Sequence, residues 1–206
     1  MFQHNPVTGD RRISGTAASL CGLETALGSG DGRAVEGAVR RLLLAHLVVL
    51  GFGGMPLIYM GDELALRNDY TFADDPEHAD DNRWAHRPQM PWDVAERRRE
   101  PGTIEHRVFS ALTHAVRVRS GLVSMHAAVE SEPLDPVNAT VFAAARRHPA
   151  QTLVGLYNLS EHDQWWPRGA VPLEGQLVDA LSGEPPRGSP EMLLLTPYQA
   201  YWLVGS

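Results

Sequence analysis

The fold is decided by one stretch of this chain, Gly53-Gly54-Met55-Pro56-Leu57-Ile58-Tyr59-Met60-Gly61-Asp62-Glu63. A short apolar run, residues 55–60, ends abruptly in a glycine and two adjacent carboxylates. The run is too short for a helix and has a proline at its start, so it predicts a buried strand of the parallel type. Strands of β/α barrels end in this way where they open into an active site. We therefore predict that residues 55–60 are the last strand of a (β/α)8 barrel.

Helical patterns surround this predicted strand. Apolar residues recur at three- and four-residue steps over residues 33–50, which predicts a helix with a broad buried face. A second helix is predicted to start at Thr103, and a shorter one covers residues 16–27. Residues 61–102 show no sustained period, and a loop of that length inside a compact domain is typical of a functional segment.

The character of the sequence changes after Gly121. Short β-rich runs alternate there with turn-forming residues, a pattern that predicts a small antiparallel β-sandwich. The predicted strands are residues 140–145, 153–159, 177–180, 192–195 and 198–204. The fold class expected from the sequence is therefore α/β followed by all-β, with a boundary near residues 121–125.

Composition excludes several classes of protein. The chain has 206 residues and a net charge of −7, which argues against a nucleic-acid binder. No apolar run approaches the length of a membrane span, and we expect no membrane partner. The single cysteine, Cys21, excludes an internal disulfide and a cysteine-based metal cage. The N-terminus has neither the basic nor the apolar region of a signal peptide. We expect no metal and no cofactor, and the sequence favours a cytoplasmic location without deciding it.

Two groups of polar residues are candidates for binding. Asp62 and Glu63 follow the predicted strand, where carboxylates can hold sugar hydroxyls or pair with an arginine; the alternative is an N-cap for the next helix. The segment Asp80-Asp81-Asn82-Arg83-Trp84-Ala85-His86-Arg87-Pro88 combines charged, amide and aromatic side chains, which is how proteins recognise sugars. The fork of Arg83 suits a carboxylate across a pocket. The alternative for this segment is a solvated loop anchored by Trp84.

Two further candidates are weaker when taken alone. Residues 8–12 contain Asp10 and Arg12 in what reads as an ordinary turn. The pair Trp165-Trp166 offers a platform for stacking a sugar. Adjacent residues on a strand point to opposite faces, so we expect one tryptophan in the core and one exposed.

Three blocks of the sequence together resemble one family. They are residues 5–16, read as NPVTGDRRISGT, the stretch 53–63 with its continuation Asn68-Asp69-Tyr70, and residues 80–88. Residues 53–63 resemble the eighth-strand region of the α-amylase superfamily (glycoside hydrolase family 13), and the three blocks resemble amylosucrase in particular. The resemblance is to the C-terminal portion of that family only.

The resemblance implies an activity and a division into domains. Amylosucrases are retaining transglucosylases that cleave sucrose, release fructose and pass glucose to a growing α-1,4-glucan, so sucrose and α-glucan are the implied partners. The implied domains are the end of an inserted loop domain (1–32), the last helices and eighth strand of the barrel (33–121), and the β-sandwich (122–206). Retention requires two carboxyl groups about 5 Å apart. In the family these groups lie on earlier barrel strands, and no residue of this chain matches them.

Some binding residues of the family do match positions here. Arg83 matches an arginine that pairs with a carboxylate and closes the bottom of the glucose pocket. Asp10 and Arg12 match residues of the inserted loop domain, where Arg12 would position the fructosyl unit or the acceptor sugar. Asp62 and Glu63 match carboxylates that shape the pocket wall.

Two alternatives remain open at the level of the sequence. A sucrose hydrolase or another member of the superfamily differs from amylosucrase in acceptor-site loops that this chain mostly lacks. A different class of protein, a non-catalytic carbohydrate-binding or structural remnant, would retain the sandwich without the chemistry.

Overall fold

The computed structural model describes residues 6–10 and 14–205. The chain divides into two compact units. The first comprises Met1–Leu42 and Tyr59–Phe109, and the second comprises Leu43–Ile58 and Ser110–Ser206. The predicted domain ranges 1–32, 33–121 and 122–206 remain predictions.

The first unit begins with two short helices in place of the one predicted over residues 16–27. Helix α1 (Ala17–Leu20) and helix α2 (Leu23–Ser29) are separated at Gly22, whose φ of 84° is unfavourable for other residues. Thr16 caps α1, because its side chain accepts a hydrogen bond from the backbone N–H of Ser19. Two long helices follow in the chain, α3 (Gly32–Phe52) and α5 (Ile104–Gly121). Both were predicted: the ends of α3 lie within two residues of the prediction, and α5 starts one residue after the predicted Thr103.

The segment of residues 61–102 is ordered by short helical turns. Four 3₁₀ turns and one short α-helix, α4, occupy it: Asp62–Leu64, Thr71–Asp74, Asn82–His86, Arg97–Arg99 and α4 (Trp92–Glu96). Leu64, Leu66 and Ala95 are buried together, with Met90 and Phe109 packed against them. This small apolar core fixes a stretch whose sequence has no helical or strand period.

The predicted strand at residues 55–60 is wrong for this structure. The run is extended, but it is paired with no strand in the part of the chain that the structure describes. Met55 is 90% exposed and Leu57 is 81% exposed, so the predicted burial is wrong as well. A parallel strand is held by hydrogen bonds to neighbours on both sides, and no described strand lies beside this run. The predicted barrel is accordingly not evident.

The second unit is built on two antiparallel sheets. Five strands form the larger sheet in the order β1-β2-β3-β7-β5, and two form the smaller one. The larger sheet contains β1 (Ser131–Pro133), β2 (Val141–His148), β3 (Gln151–Asn158), β5 (Leu177–Asp179) and β7 (Ala200–Gly205), and the smaller contains β4 (Gln164–Pro167) and β6 (Met192–Leu195). The five predicted strands correspond to β2, β3, β5, β6 and β7, so the antiparallel β-domain is confirmed.

The core of this unit lies between the two sheets. Leu156 and Leu203 of the larger sheet and Trp166 and Leu195 of the smaller one are fully buried in a single cluster. Trp166 is 0% exposed, whereas Trp165 is 49% exposed, so the prediction of one core and one exposed tryptophan is confirmed. The alternation along β4 therefore sets which face of the small sheet meets the core.

The opposite face of the larger sheet packs against the end of α3. Phe52 and Phe142 approach with ring centroids 5.8 Å apart. A side chain at Gly51 would collide with the hydroxyl of Tyr157, which explains the glycine there. The Trp202 indole N–H donates to that hydroxyl at 3.2 Å, and burial raises the pKa of Tyr157 above its ordinary range.

Candidate functional site

The first unit contains a cavity of about 810 Å³. One wall is a hydrogen-bond network on residues far apart in the chain. The Tyr70 hydroxyl donates to Glu24 at 2.8 Å and accepts from the Asn68 amide at 3.0 Å. The Asn68 side-chain oxygen accepts from the backbone N–H of Thr16 at 2.8 Å. This network fixes the positions of α1, α2 and residues 68–70 relative to one another.

The other wall of the cavity mixes apolar and charged groups. Leu66 and Val94 line it beside an ion pair in which Arg97 approaches Glu105 Oε1 at 3.3 Å. Glu105 Oε2 is buried and has no hydrogen-bond partner among the residues that the structure describes. A concave site with apolar walls and a few convergent polar groups suits a small ligand that carries hydroxyl donors.

Asp62 and Glu63 occupy the first turn of a 3₁₀ helix, directly after Gly61. Glu63 Oε2 accepts a hydrogen bond from the Gly61 backbone N–H at 2.9 Å, so this carboxylate satisfies the start of the turn. Gly61 is required here because its φ is 95° and an added Cβ would lie 2.7 Å from Leu66. Burial raises the pKa of Cys21, Arg41 lowers it, and Asp62 adds a smaller rise, which places the Asp62 charge near that thiol.

Arg83 is held by a carboxylate two residues away. Its Nε lies 2.8 Å from one oxygen of Asp81 and its Nη2 lies 2.5 Å from the other, a two-point contact of the fork type. Hydrogen bonding to Arg83 holds the pKa of Asp81 at about 2. Trp84, the anchor in the alternative interpretation of this segment, is half-buried and packs against His78 with ring centroids 3.8 Å apart and ring planes tilted by 37°, and Arg87 lies 5.5 Å from its ring.

Asp10 makes its described contact within its own turn. Asp10 is exposed, and its Oδ2 accepts a hydrogen bond from the Thr8 hydroxyl at 2.6 Å. Arg12 lies outside the described residues. The structure thus places Glu63 and Arg83 in local contacts of their own loops, and the binding roles of all five predicted residues remain predictions.

Sequence reasoning missed Glu24, Tyr70 and Glu105 as lining residues of the cavity. Glu24 and Tyr70 are 46 positions apart, and neither carries a motif of its own. The continuation Asn68-Asp69-Tyr70 was noted in the sequence, but nothing in it indicated a partner on α2. No local signal would have found this pair.

The described part of the chain shows neither a metal-binding cluster nor a membrane-spanning helix. Within residues 6–10 and 14–205, no group of three or more His, Cys, Asp or Glu side chains is arranged to hold a metal ion. No helix in that part of the chain is both long enough and apolar enough to cross a membrane.

The β-domain matches a known family. Residues 131–204 match the family model for the amylosucrase C-terminal domain. Over 169 residues the chain is 27% identical to glucosylglycerate phosphorylase from Escherichia coli (strain K12), a match that covers 79% of this chain and 28% of that protein. The chain therefore spans little more than a quarter of the length of this curated relative.

Solved structures share the fold. A variant of AmyP in complex with maltotriose superposes with a TM-score of 0.64 at 15% identity, over 81% of this chain and 35% of that one. Eubacterium rectale Amy13B gives 0.61 at 13% identity, over 93% and 37%. The isomaltulose synthase SmuA from Protaminobacter rubrum gives 0.51 at 14% identity, over 81% and 38%.

These matches confirm the resemblance to amylosucrase and place it in the C-terminal portion of that enzyme. The fold is that of the C-terminal region of α-amylase-family enzymes, a mostly antiparallel β-domain accompanied by helices.

Proposed function

We propose that this chain is the C-terminal part of a sucrose-active, retaining transglucosylase of the amylosucrase type. The enzyme would move glucose from sucrose to the end of an α-1,4-glucan and release fructose. The match of residues 131–204 to the amylosucrase C-terminal domain carries this proposal. The small share of each relative that the chain covers supports its being one part of a larger enzyme.

The exposed run at residues 55–60 supports a place for the chain in a barrel. Extended backbone with Met55 90% exposed and Leu57 81% exposed is what an apolar strand looks like without its neighbours. We propose that it forms the eighth strand when earlier strands are present. The nucleophile and the acid of the retaining mechanism would come from those strands, about 5 Å apart.

The proposed roles of this chain's own residues are in binding. Arg83 would close the bottom of the glucose pocket by pairing with a carboxylate, and Asp62 and Glu63 would shape its wall. Asp10 and Arg12 would contact the fructosyl unit or the acceptor sugar. None of the five would carry a proton in the reaction.

A second candidate follows from the curated relative. Because that relative is named a phosphorylase and is 27% identical, orthophosphate is the acceptor in this second candidate, in place of the glucan. The glucosyl group would then leave as glucose 1-phosphate. A third acceptor is water, which would make the enzyme a sucrose hydrolase.

One experiment separates the three acceptors. A longer protein that contains this chain is incubated with sucrose alone, with sucrose and maltoheptaose, and with sucrose and phosphate. The proposal expects fructose release that is stimulated by maltoheptaose, together with elongated glucan. Glucose 1-phosphate as the main product would establish a phosphorylase, and glucose equal to fructose in every mixture would establish a hydrolase. No fructose in any mixture would favour a non-catalytic carbohydrate-binding or structural protein.

A further inference from the structure

Trp165 presents half of its surface to solvent although its neighbour is fully buried. The exposed fractions are 49% for Trp165 and 0% for Trp166. An indole ring is large, rigid and apolar on its faces, and it has a polar N–H at its edge. A surface that keeps such a ring exposed offers a ready contact for a ligand with a flat apolar face.

Trp165 lies on a largely apolar face of the small sheet. In the register of β4 and β6, Trp165 lies opposite Leu194 and Pro167 lies opposite Met192. These four residues share one face because side chains alternate along a strand, and Trp166 and Leu193 take the other face. This face is open to solvent, because three of its residues are only half-buried: Leu194, Pro167 and Met192. We call the four residues the outer face.

A third segment adds polar groups beside the outer face. The Leu194 backbone N–H donates to the Arg187 carbonyl at 2.9 Å, and the Ser189 N–H donates to the Met192 carbonyl at 2.8 Å. Arg187 and Ser189 are both exposed. The Arg187 guanidinium makes no hydrogen bond or ion pair with any residue that the structure describes. Arg187 therefore offers five N–H donors on the segment whose backbone pairs with β6.

The location of the outer face keeps it clear of the unit's own packing. Trp166, Leu193 and Leu195 fill the core between the two sheets. The far side of the larger sheet carries Phe142 and Tyr157, which meet the end of α3. The outer face is used by neither contact.

We infer that the outer face is a binding platform for α-glucan chains, with Trp165 stacking under a glucose ring and Arg187 donating to hydroxyls of the chain. A pyranose has an apolar face of C–H groups and a rim of hydroxyls, which matches an indole beside hydrogen-bond donors. The choice of an α-glucan rests on the proposed function, in which such a chain is the acceptor and product. Holding the polymer here would raise the concentration of its ends near the enzyme.

Binding is tested on this chain itself, without turnover, by affinity electrophoresis through gels that contain amylose and by calorimetry with maltoheptaose. Trp165→Ala is expected to weaken binding by at least ~10-fold, and Trp165→Phe, which keeps a ring, is expected to retain most of it. Trp92→Ala is the matched control, since Trp92 is 74% exposed and lies in the first unit. The control is expected to bind as the wild type does. Because Trp165 and Trp92 are both exposed, Trp165→Ala and Trp92→Ala should each melt within a few degrees of the wild type.

Three results would overturn the inference. The chain fails to bind either glucan, or Trp165→Ala binds as tightly as the wild type, or Trp92→Ala loses binding instead. Sedimentation adds a fourth: a dimer that Trp165→Ala dissociates would assign the outer face to a second copy of the chain. Binding without sucrose turnover by the longer enzyme would refute the proposed function and leave the platform intact, so the two failures are distinguishable.

Discussion

Arg146 is a buried charged side chain of the second unit that makes four hydrogen bonds. It is 1% exposed, and its guanidinium donates to the carbonyls of Phe52, Ser124 and His126 and to the hydroxyl of Ser131, at 2.8–2.9 Å. No carboxylate is among these partners, and burial lowers the pKa of the guanidinium below its ordinary value. The backbone carbonyls take the place of a counter-ion and tie the end of α3 to β2.

Replacing Arg146 should therefore destabilise the second unit strongly. Arg146→Ala leaves three carbonyls without their donors, and we expect a loss of about 3–5 kcal/mol in the free energy of unfolding, measured by urea denaturation. The neighbouring Arg147→Ala is the matched control, because Arg147 is exposed and its ion pair with Glu132, at 2.9 Å, is exposed as well. Arg147→Ala should lower the free energy of unfolding by less than about 1 kcal/mol. Equal effects of the two substitutions would show that the buried network is not what stabilises this unit.

Replacing Arg83 should lower activity and leave stability nearly unchanged, since Arg83 is exposed and its contact with Asp81 is local. In a longer enzyme that contains this chain, Arg83→Ala should lower sucrose turnover by at least ~10-fold, equivalent to about 1.4 kcal/mol. The melting temperature should move by only a few degrees. Arg87→Ala is the control, because Arg87 is also exposed and lies over Trp84 in the same loop. Near-normal turnover in Arg83→Ala would remove Arg83 from the pocket, and unfolding would make it a structural residue.

At the scale of elements, one carboxylate links two helices in the first unit. Glu36 on α3 forms an ion pair with Arg40 one turn later and a two-point contact with Arg107 on α5. Hydrogen bonding to Arg107 is the largest cause that holds the pKa of Glu36 at about 2, below its ordinary 4.5. A lowered pKa of this kind contributes stability that is complete above pH 4.5 and is lost as the pH falls towards 2.

Glu36→Gln should consequently remove stability at neutral pH and little of it in acid. We expect a loss of about 1 kcal/mol at pH 6, since the groups are more than a third exposed and water screens them. The difference from the wild type should shrink between pH 4.5 and pH 2. Glu132→Gln, which breaks an exposed pair in the second unit, should show no comparable change. A difference for Glu36→Gln that is constant from pH 6 to pH 2 would contradict the argument.

The extended run at residues 55–60 is a case in which the sequence pattern predicted the wrong environment: a buried strand was predicted, and the described run is exposed and unpaired. Its apolar composition predicted burial, whereas the structure leaves Met55 and Leu57 exposed; we propose that burial requires neighbouring strands. In this chain the amides of Leu57 and Ile58 should exchange with solvent within seconds, whereas those of Val154 and Leu156 in β3 should be protected. In a longer enzyme the same two amides should become protected. Rapid exchange there too would mean that this run is not a barrel strand.

At the scale of the whole molecule, regular periods were predictable and long-range pairs were not. Helix α3 and five of the seven strands follow from residues that repeat along the chain, and each lies within three residues of its prediction. Strands β1 and β4 were missed; both end in proline, which lacks a backbone donor and is disfavoured inside sheets. The contacts of Glu24 with Tyr70 and of Arg146 with Phe52 join positions 46 and 94 residues apart, for which the local sequence holds no signal.

The chain by itself should be inactive on sucrose. Retaining transfer needs a carboxylate nucleophile and a carboxylic acid about 5 Å apart, on either side of the scissile bond. The family positions of those two groups match no residue here, and Asp62, Glu63 and Asp81 are proposed only for binding or local contacts. We therefore expect the purified chain to release no glucose or fructose from sucrose above background, measured over hours at high protein concentration. Asp62→Asn and Glu63→Gln serve as checks. Turnover that either variant abolishes would prove that this chain holds the nucleophile or the acid, and that these carboxylates were assigned the wrong role.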